Sequence, residues 1–274
     1  MKLGLGTVQF GQAYGVSNTR GQVPPAEAAS ILQRAATAGI TLLDTAANYG
    51  AAESVLAGLD TKPFRIVTKT INLKNGLDAM LARARQSALT LKADTLLVHA
   101  AADLADATLW PALQKLKSEG VFRKIGISAY VADDPAVLAA RFKPDVMQLP
   151  FSLLDQRLLA NGTLRRLKEM GVEIHARSLF LQGLLFLDDL PPKLQQAAPQ
   201  LKSLKAKIAA TGATPLAAAL GFALSRPEIA FGVAGVTSLG ELDEILAAAA
   251  YPLPDLDWAA MALTDEVVLT PSLW

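Results

Sequence analysis

The chain of 274 residues contains no cysteine. That excludes a disulfide framework, a thiolate metal site and a thiol nucleophile, and it fits the reducing cytoplasmic compartment. Histidine occurs only at positions 99 and 175, too rarely for a multi-histidine metal centre, so no metal is expected. Charge of neither sign dominates: 26 Lys and Arg stand against 25 Asp and Glu, with no block of either. Neither a nucleic acid nor a membrane surface is therefore an expected partner. No apolar run reaches the roughly 18 residues that cross a bilayer. The opening MKLGLGTVQFG turns polar too soon for a signal peptide. Two catalytic fingerprints are also missing. There is no GxSxG nucleophile elbow. The GxGxxG dinucleotide pattern fails because Gln9 stands where its third glycine would fall, and a long loop follows instead of a helix.

Hydrophobic residues make up 51% of the chain, enough for a sizeable core, and no linker divides residues 1–274, so a single domain is expected. Eight short β-branched or leucine-rich runs read as strands, at residues 3–8, 41–45, 65–70, 95–99, 124–128, 146–150, 172–178 and 229–236. Helical patterns alternate with them, at 25–38, 52–59, 76–91, 106–119 (capped by Asp106), 133–141, 162–170, 192–210, 215–225 and from Ser238 or Gly240 to 250. Eight strand–helix units in about 250 residues define an α/β fold of the (β/α)8 or TIM-barrel type, with its active site at the C-terminal ends of the strands. Gly4 and Gly6 suggest close approach at a crowded barrel wall. The polar segment 9–24, with Tyr14 and Asn18, is long for a βα connection and is a candidate ligand loop.

Several runs end in a polar residue: Asp44, Lys69, His99 and Ser128. Parallel strands bring such ends to one rim, and Tyr49, five residues past Asp44, lies on the loop at the same level. A phenol is a poor acid near neutral pH, and an adjacent ammonium favours its ionised form. Lys69 is placed to be that ammonium, and Asp44 to be the carboxylate that a buried ammonium needs. His99 can hydrogen-bond the phenol or a substrate oxygen. The set suits protonation of an oxygen as a carbonyl becomes an alcohol, with hydride from a bound cofactor.

Asp44, Tyr49, Lys69 and His99, within LLDTAANYG, IVTK and LLVHA, resemble the aldo-keto reductases. LGLGTVQFG, GVFRKIGISAY, PDVMQLPFSLLDQR, GVEIHARSLFLQGLL and GVTSLGELDEIL extend the resemblance, in order, along nearly the whole chain. It implies an oxidoreductase that uses NADP(H) or NAD(H) to interconvert a small aldehyde, ketone or sugar carbonyl and its alcohol. Tyr49 is then the general acid, Lys69 and Asp44 its tuning pair, and His99 the orienting group. By the same carry-over Ser128 and Gln148 hold the nicotinamide carboxamide. Arg177, Ser178, Leu179, Gln182 and Gly183, with Val236, Thr237, Ser238, Glu241 and Glu244 around the start of the last barrel helix, hold the rest of the cofactor.

The departures carry information. Ala129 replaces the asparagine usual after the strand-five serine. Arg177 stands where the family often stacks an aromatic on the nicotinamide, and such a planar cation can stack or bind an anionic substrate. Glu241 falls where many members place an arginine on the ribose 2′-phosphate, which disfavours NADPH, and Ile245 replaces an asparagine near adenine. Val8 and Ala100 take two positions that often carry tryptophan, leaving a smaller-walled substrate pocket made more polar by Gln9 and Asn48. A monomer or weak homo-oligomer is expected. Two rival functions use the same barrel: a nicotinamide-binding sensor with little turnover, and a Schiff-base aldolase working through Lys69. His175, Trp110 and Trp258 read as packing residues, Arg123 and Lys124 as solvated, and Trp274 equally as packing or as a lid over the pocket.

Overall fold

The computed structural model describes residues 1–15 and 18–274. The elements run in chain order as β1 (Leu3–Gly6), α1 (Val8–Gly11), α2 (Pro25–Thr37), β2 (Leu42–Asp44), α3 (Ala52–Ala57), β3 (Arg65–Lys69), α4 (Leu77–Leu91), β4 (Thr95–Val98), α5 (Leu109–Ser118), β5 (Lys124–Ser128), α6 (Pro135–Phe142), β6 (Val146–Pro150), α7 (Arg157–Ala160), α8 (Thr163–Glu169), β7 (Glu173–Arg177), α9 (Ala198–Ala210), α10 (Pro215–Ser225), β8 (Ile229–Gly235), α11 (Leu239–Ala249) and α12 (Glu266–Leu269). Every strand pairs in parallel with the next, and β8 pairs with β1, so the sheet closes into an eight-stranded barrel. No single helix among the described residues is long and apolar enough to cross a membrane.

Side chains alternate across each strand, and the two faces bury different cores. Leu42, Val67, Leu97, Val146 and Val233 fill the barrel interior. Leu43, Ile66, Leu96 and Met147, one residue away, join the larger layer beneath the helices. Gly4 belongs to the interior face, where a Cβ would meet Leu42 Cδ2 at 3.0 Å, so the crowded wall requires its missing side chain. Helix α2 buries Ala28, Ile31, Leu32 and Ala35, the stripe its 3.6-residue period marks.

The predicted boundaries shift where side chains outbid the sheet. Strand β1 stops at Gly6 rather than at residue 8, because the Thr7 amide and hydroxyl both donate to the Asp44 carbonyl, at 2.9 and 3.0 Å, and the chain turns into α1. Asp106 does not cap a helix. It ends a 3-10 turn and accepts from the Thr108 amide at 2.8 Å, so α5 starts at Leu109. The stretch 192–210 divides into a 3-10 segment, Pro192–Ala197, and α9. The apolar segment after β7 forms a 3-10 turn, Leu181–Phe186, in which Leu181 and Gln182 take positive φ of 45° and 55°, as does Ser178 just before it at 59°.

At the N-terminal mouth of the barrel, Glu173 gathers Arg65, Lys124 and His175. Lys124 is therefore ion-paired, not merely solvated. His175 is fully buried with Nε2 2.8 Å from Glu173, while its Nδ1 has no partner. Trp110 packs on Phe142, and Trp258 on Phe222. Trp274 donates its indole N–H to the Val267 carbonyl at 2.9 Å and packs against the core, away from the pocket lining, so it is packing and not a lid.

Candidate active site

Asp44, Lys69, Ser128 and Arg177 are the last residues of β2, β3, β5 and β7, and His99 follows β4 directly, so a parallel barrel delivers all five to the same rim. Lys69 is 1% exposed, and its Nζ is 2.9 and 2.8 Å from the two Asp44 oxygens, 2.9 Å from the Thr45 carbonyl and 3.2 Å from the Tyr49 hydroxyl. Gln148 Nε2 donates to Asp44 Oδ1 at 2.6 Å. Burial pushes the Lys69 amine down, but the charges and hydrogen bonds of Asp44 and Tyr49 more than offset it, so the amine is held above its ordinary value and stays an ammonium. The His99 ring stands edge-on to Tyr49, with centroids 5.9 Å apart. Burial, reinforced by the positive charge of Lys69, pushes its imidazole down to about 4, so at neutral pH it is uncharged.

Tyr49 sits on a loop, and backbone contacts fix that loop. The Ala51 amide donates to the Gly11 carbonyl at 3.2 Å, and a Cβ on Gly11 would fall 1.8 Å from the Tyr49 carbonyl oxygen. Only glycine allows the turn of α1 to lie so close. Behind the loop, Glu53 of α3 accepts from Thr68 Oγ1 of β3 at 2.5 Å and from Ser87 Oγ of α4 at 2.9 Å, and it pairs with Arg83. The buried Glu53 thus ties the helix that follows Tyr49 to the strand that carries Lys69. It was not among the residues the sequence singled out. Its only signal was a carboxylate on an apolar helix face.

The rim opens on a cavity of about 700 Å³. Asp44, Tyr49, Lys69, His99, Ser128 and Gln148 line it, as do Arg177, Ser178, Leu179, Gln182, Gly183, Thr237, Glu241 and Glu244, and on another wall Val8, Gln9 and Asn48. Three residues singled out from the sequence do not. Ala100 precedes the 3-10 turn Ala101–Ala105, Val236 is packed into the core, and the Ser238 hydroxyl is used as the N-cap of α11, accepting from the Glu241 amide at 3.2 Å. Tyr14 and Asn18 of the long first loop reach the cavity, whereas Val16 and Ser17 lie outside the described residues. Tyr130, Phe180 and Phe186 also line it and had no sequence signal beyond their aromatic rings.

Glu241 is engaged by the residue before its helix cap: its oxygens accept from the Thr237 amide at 2.6 Å and the Thr237 hydroxyl at 2.7 Å. Glu27 of α2 accepts from the Leu239 amide at 2.7 Å. Glu27 thus occupies the first amide of α11 and Glu241 an amide just before its cap, and both bring negative charge to a helix start that would otherwise attract an anion. At the other end of the cavity Gln148, 1% exposed, has an Oε1 with no partner, so a buried acceptor faces a space that a carboxamide N–H could fill.

The chain thus folds as a closed parallel barrel with an Asp–Lys–Tyr–His cluster at its C-terminal rim. Residues 2–266 match the Aldo/keto reductase family, and the chain belongs to that family, whose chemistry is carbonyl oxidoreduction. Among curated proteins it is 30% identical to L-galactose dehydrogenase of Arabidopsis thaliana, over 90% of this chain and 85% of that one. It is 28% identical to D-threo-aldose 1-dehydrogenase of Pseudomonas sp, over 86% and 87%. Among solved structures, the holo form of an aldo-keto reductase from Bacillus halodurans superposes with a TM-score of 0.74 at 21% identity, covering 92% of this chain and 87% of that one.

Proposed function

We propose that the protein is a nicotinamide-dependent reductase of small aldehydes, ketones or sugar carbonyls, working in either direction, with Tyr49 as the general acid. The observation that carries this reading is the Tyr49 hydroxyl 3.2 Å from a buried ammonium that Asp44 clamps through both oxygens. A nicotinamide dinucleotide held in this cavity would supply or accept the hydride. Tyr49 gives its proton to the carbonyl oxygen, and Lys69 stabilises the charge left on the phenol oxygen by direct Coulomb attraction at short range. Asp44 holds Lys69 in place and keeps it charged. Neutral His99 retains one N–H to orient the carbonyl oxygen beside Tyr49. Gln148 Oε1 and the Ser128 hydroxyl would hold the carboxamide of the cofactor, and the loop from Ser178 to Gly183 would flank its phosphates. The carboxylates at the start of α11 favour NADH, because a 2′-phosphate there would meet negative charge and occupied amides. The names of the two dehydrogenase relatives support sugar substrates. An ammonium held this firmly argues against Lys69 as a Schiff-base nucleophile.

Tyr49→Phe should lower carbonyl reduction by a hundredfold or more, on the order of the contribution of a positioned acid, while fluorescence titration still shows NADH binding. Undiminished turnover in that variant would remove the proposed role. Binding of NADH by the native protein without turnover of any carbonyl would favour the sensor.

A further inference from the structure

Arg177 ends β7, opposite Pro150 of β6, and lines the cavity in a half-buried position. Its guanidinium lies over the Tyr130 ring, 4.3 Å from the centroid. Its hydrogen bonds are few and long: to the Ala129 carbonyl at 3.3 Å and to Ser178 Oγ at 3.4 Å. Among the described residues no carboxylate lies within ion-pair distance of it. The other cation of the wall, Lys69, is saturated by Asp44, and His99 is uncharged. Of the other carboxylates lining the cavity, Glu241 is bound to Thr237, and neither it nor Glu244 forms an ion pair with Arg177. The proton-delivering end of the cavity therefore holds one uncompensated positive charge. A guanidinium has five N–H donors in a fork that matches a carboxylate, and two weak contacts leave most of them unused.

Its position is near the chemistry. The charge of Arg177 acts with burial and Lys69 to keep His99 deprotonated, and it opposes the upward push that burial gives the Tyr14 phenol. His99 and Tyr14 both border the same space as Tyr49. We propose that Arg177 is the subsite for a carboxylate carried by the carbonyl substrate, which narrows the reductase reading, on which this inference rests, to oxo acids or acid sugars. A phosphate of the dinucleotide has the same oxyanion chemistry, and the experiment separates the two.

Oxo acids with a terminal aldehyde, two to six carbons long, are compared with unbranched alkanals of equal length as NADH oxidants. At least one acid should exceed its neutral counterpart in kcat/KM by about ten- to hundredfold, the worth of a charge-assisted pair. Arg177→Met should bring that ratio to about one, and Arg177→Lys, which keeps charge but loses the fork, should fall between. A ratio that Arg177→Met leaves unchanged, or no preference at any length, overturns the proposal. A fall in NADH affinity in Arg177→Met that matches an equal loss on acids and alkanals assigns the residue to a cofactor phosphate and overturns it too. Calorimetry of the NADH-loaded protein with saturated dicarboxylates of the same lengths needs no turnover. Stoichiometric binding that Arg177→Met abolishes supports the subsite even if no carbonyl is reduced, a result that would sink the reductase reading alone. Absence of both preference and binding overturns the subsite.

Discussion

Lys69 joins a stability prediction and the proposed chemistry in one buried residue. Its ammonium is almost wholly removed from water, and Asp44 supplies the compensating charge. Lys69→Met should therefore abolish turnover and cost about 3–5 kcal/mol, because it strands a buried carboxylate. The pair Asp44→Asn/Lys69→Met should recover part of that loss in urea unfolding. If the double variant is no more stable than Lys69→Met alone, the two charges are not coupled as described. His99 carries a pH signature. Its folded value, about 4, lies below the ordinary 6.5, so the unfolded chain binds the proton more readily. Stability from this group is complete above pH 6.5 and declines as pH falls toward 4, by about 3 kcal/mol in all. His99→Gln should flatten that part of the stability curve, and an unchanged slope would rule the contribution out. Asp44, Lys69 and His99 were legible in sequence because each closes a short apolar run. The orphaned Gln148 oxygen and the saturation of Glu241 were not, since both depend on partners that the fold brings from other elements.

At the scale of elements, what matters is how a loop is made as rigid as a strand. Tyr49 is held by a backbone contact with Gly11 on one side and, through α3, by Glu53 on the other. Gly11→Ala should reduce turnover strongly while leaving most of the secondary structure, as followed by circular dichroism and steady-state rates. Wild-type kcat in that variant would mean that the contact does not place Tyr49. The start of α11 is the second such device. Its first amide is answered by Glu27 and the Thr237 amide just before its cap by Glu241, so NADPH should bind about tenfold or more weakly than NADH, a difference of about 1.4 kcal/mol. Glu27→Gln/Glu241→Gln should narrow the gap in a fluorescence titration, and tighter native binding of NADPH would contradict the assignment. Helix faces such as that of α2 were readable from periodicity. The 3-10 segments at Pro192–Ala197 and Leu181–Phe186 were not, because tertiary packing selects them over the α-helix and the open loop.

The whole barrel separates its two ends. The C-terminal rim carries the cluster of Asp44, Tyr49, Lys69 and His99, and the N-terminal mouth carries Glu173 with its partners Arg65, Lys124 and His175. Burial pushes the Glu173 carboxyl up, but hydrogen bonds from His175 and Lys124 prevail and hold it at about 2. A depressed carboxylate contributes stability above its ordinary value of 4.5 that is lost as pH falls through that value toward 2. Glu173→Gln should consequently lower the melting temperature at pH 7 more than at pH 3, without changing kcat. An equal decrease at both values would show that the pairing has no net effect.

The order of strands and helices, the choice of a closed barrel and the residues at the strand ends follow from the chain alone. They rest on local patterns: a two-residue alternation, a 3.6-residue stripe, and polar punctuation after apolar runs. Which of those polar groups are already satisfied only the tertiary structure decided. A hydrogen bond or ion pair between residues 15, 30 or 104 positions apart, such as Glu53 to Thr68 and Arg83 or Gln148 to Asp44, leaves no mark on the sequence around either partner. The same holds for what is left over, the guanidinium of Arg177 with no counter-charge among the described residues, since the lack of an ion-pair partner is a property of the space around a side chain.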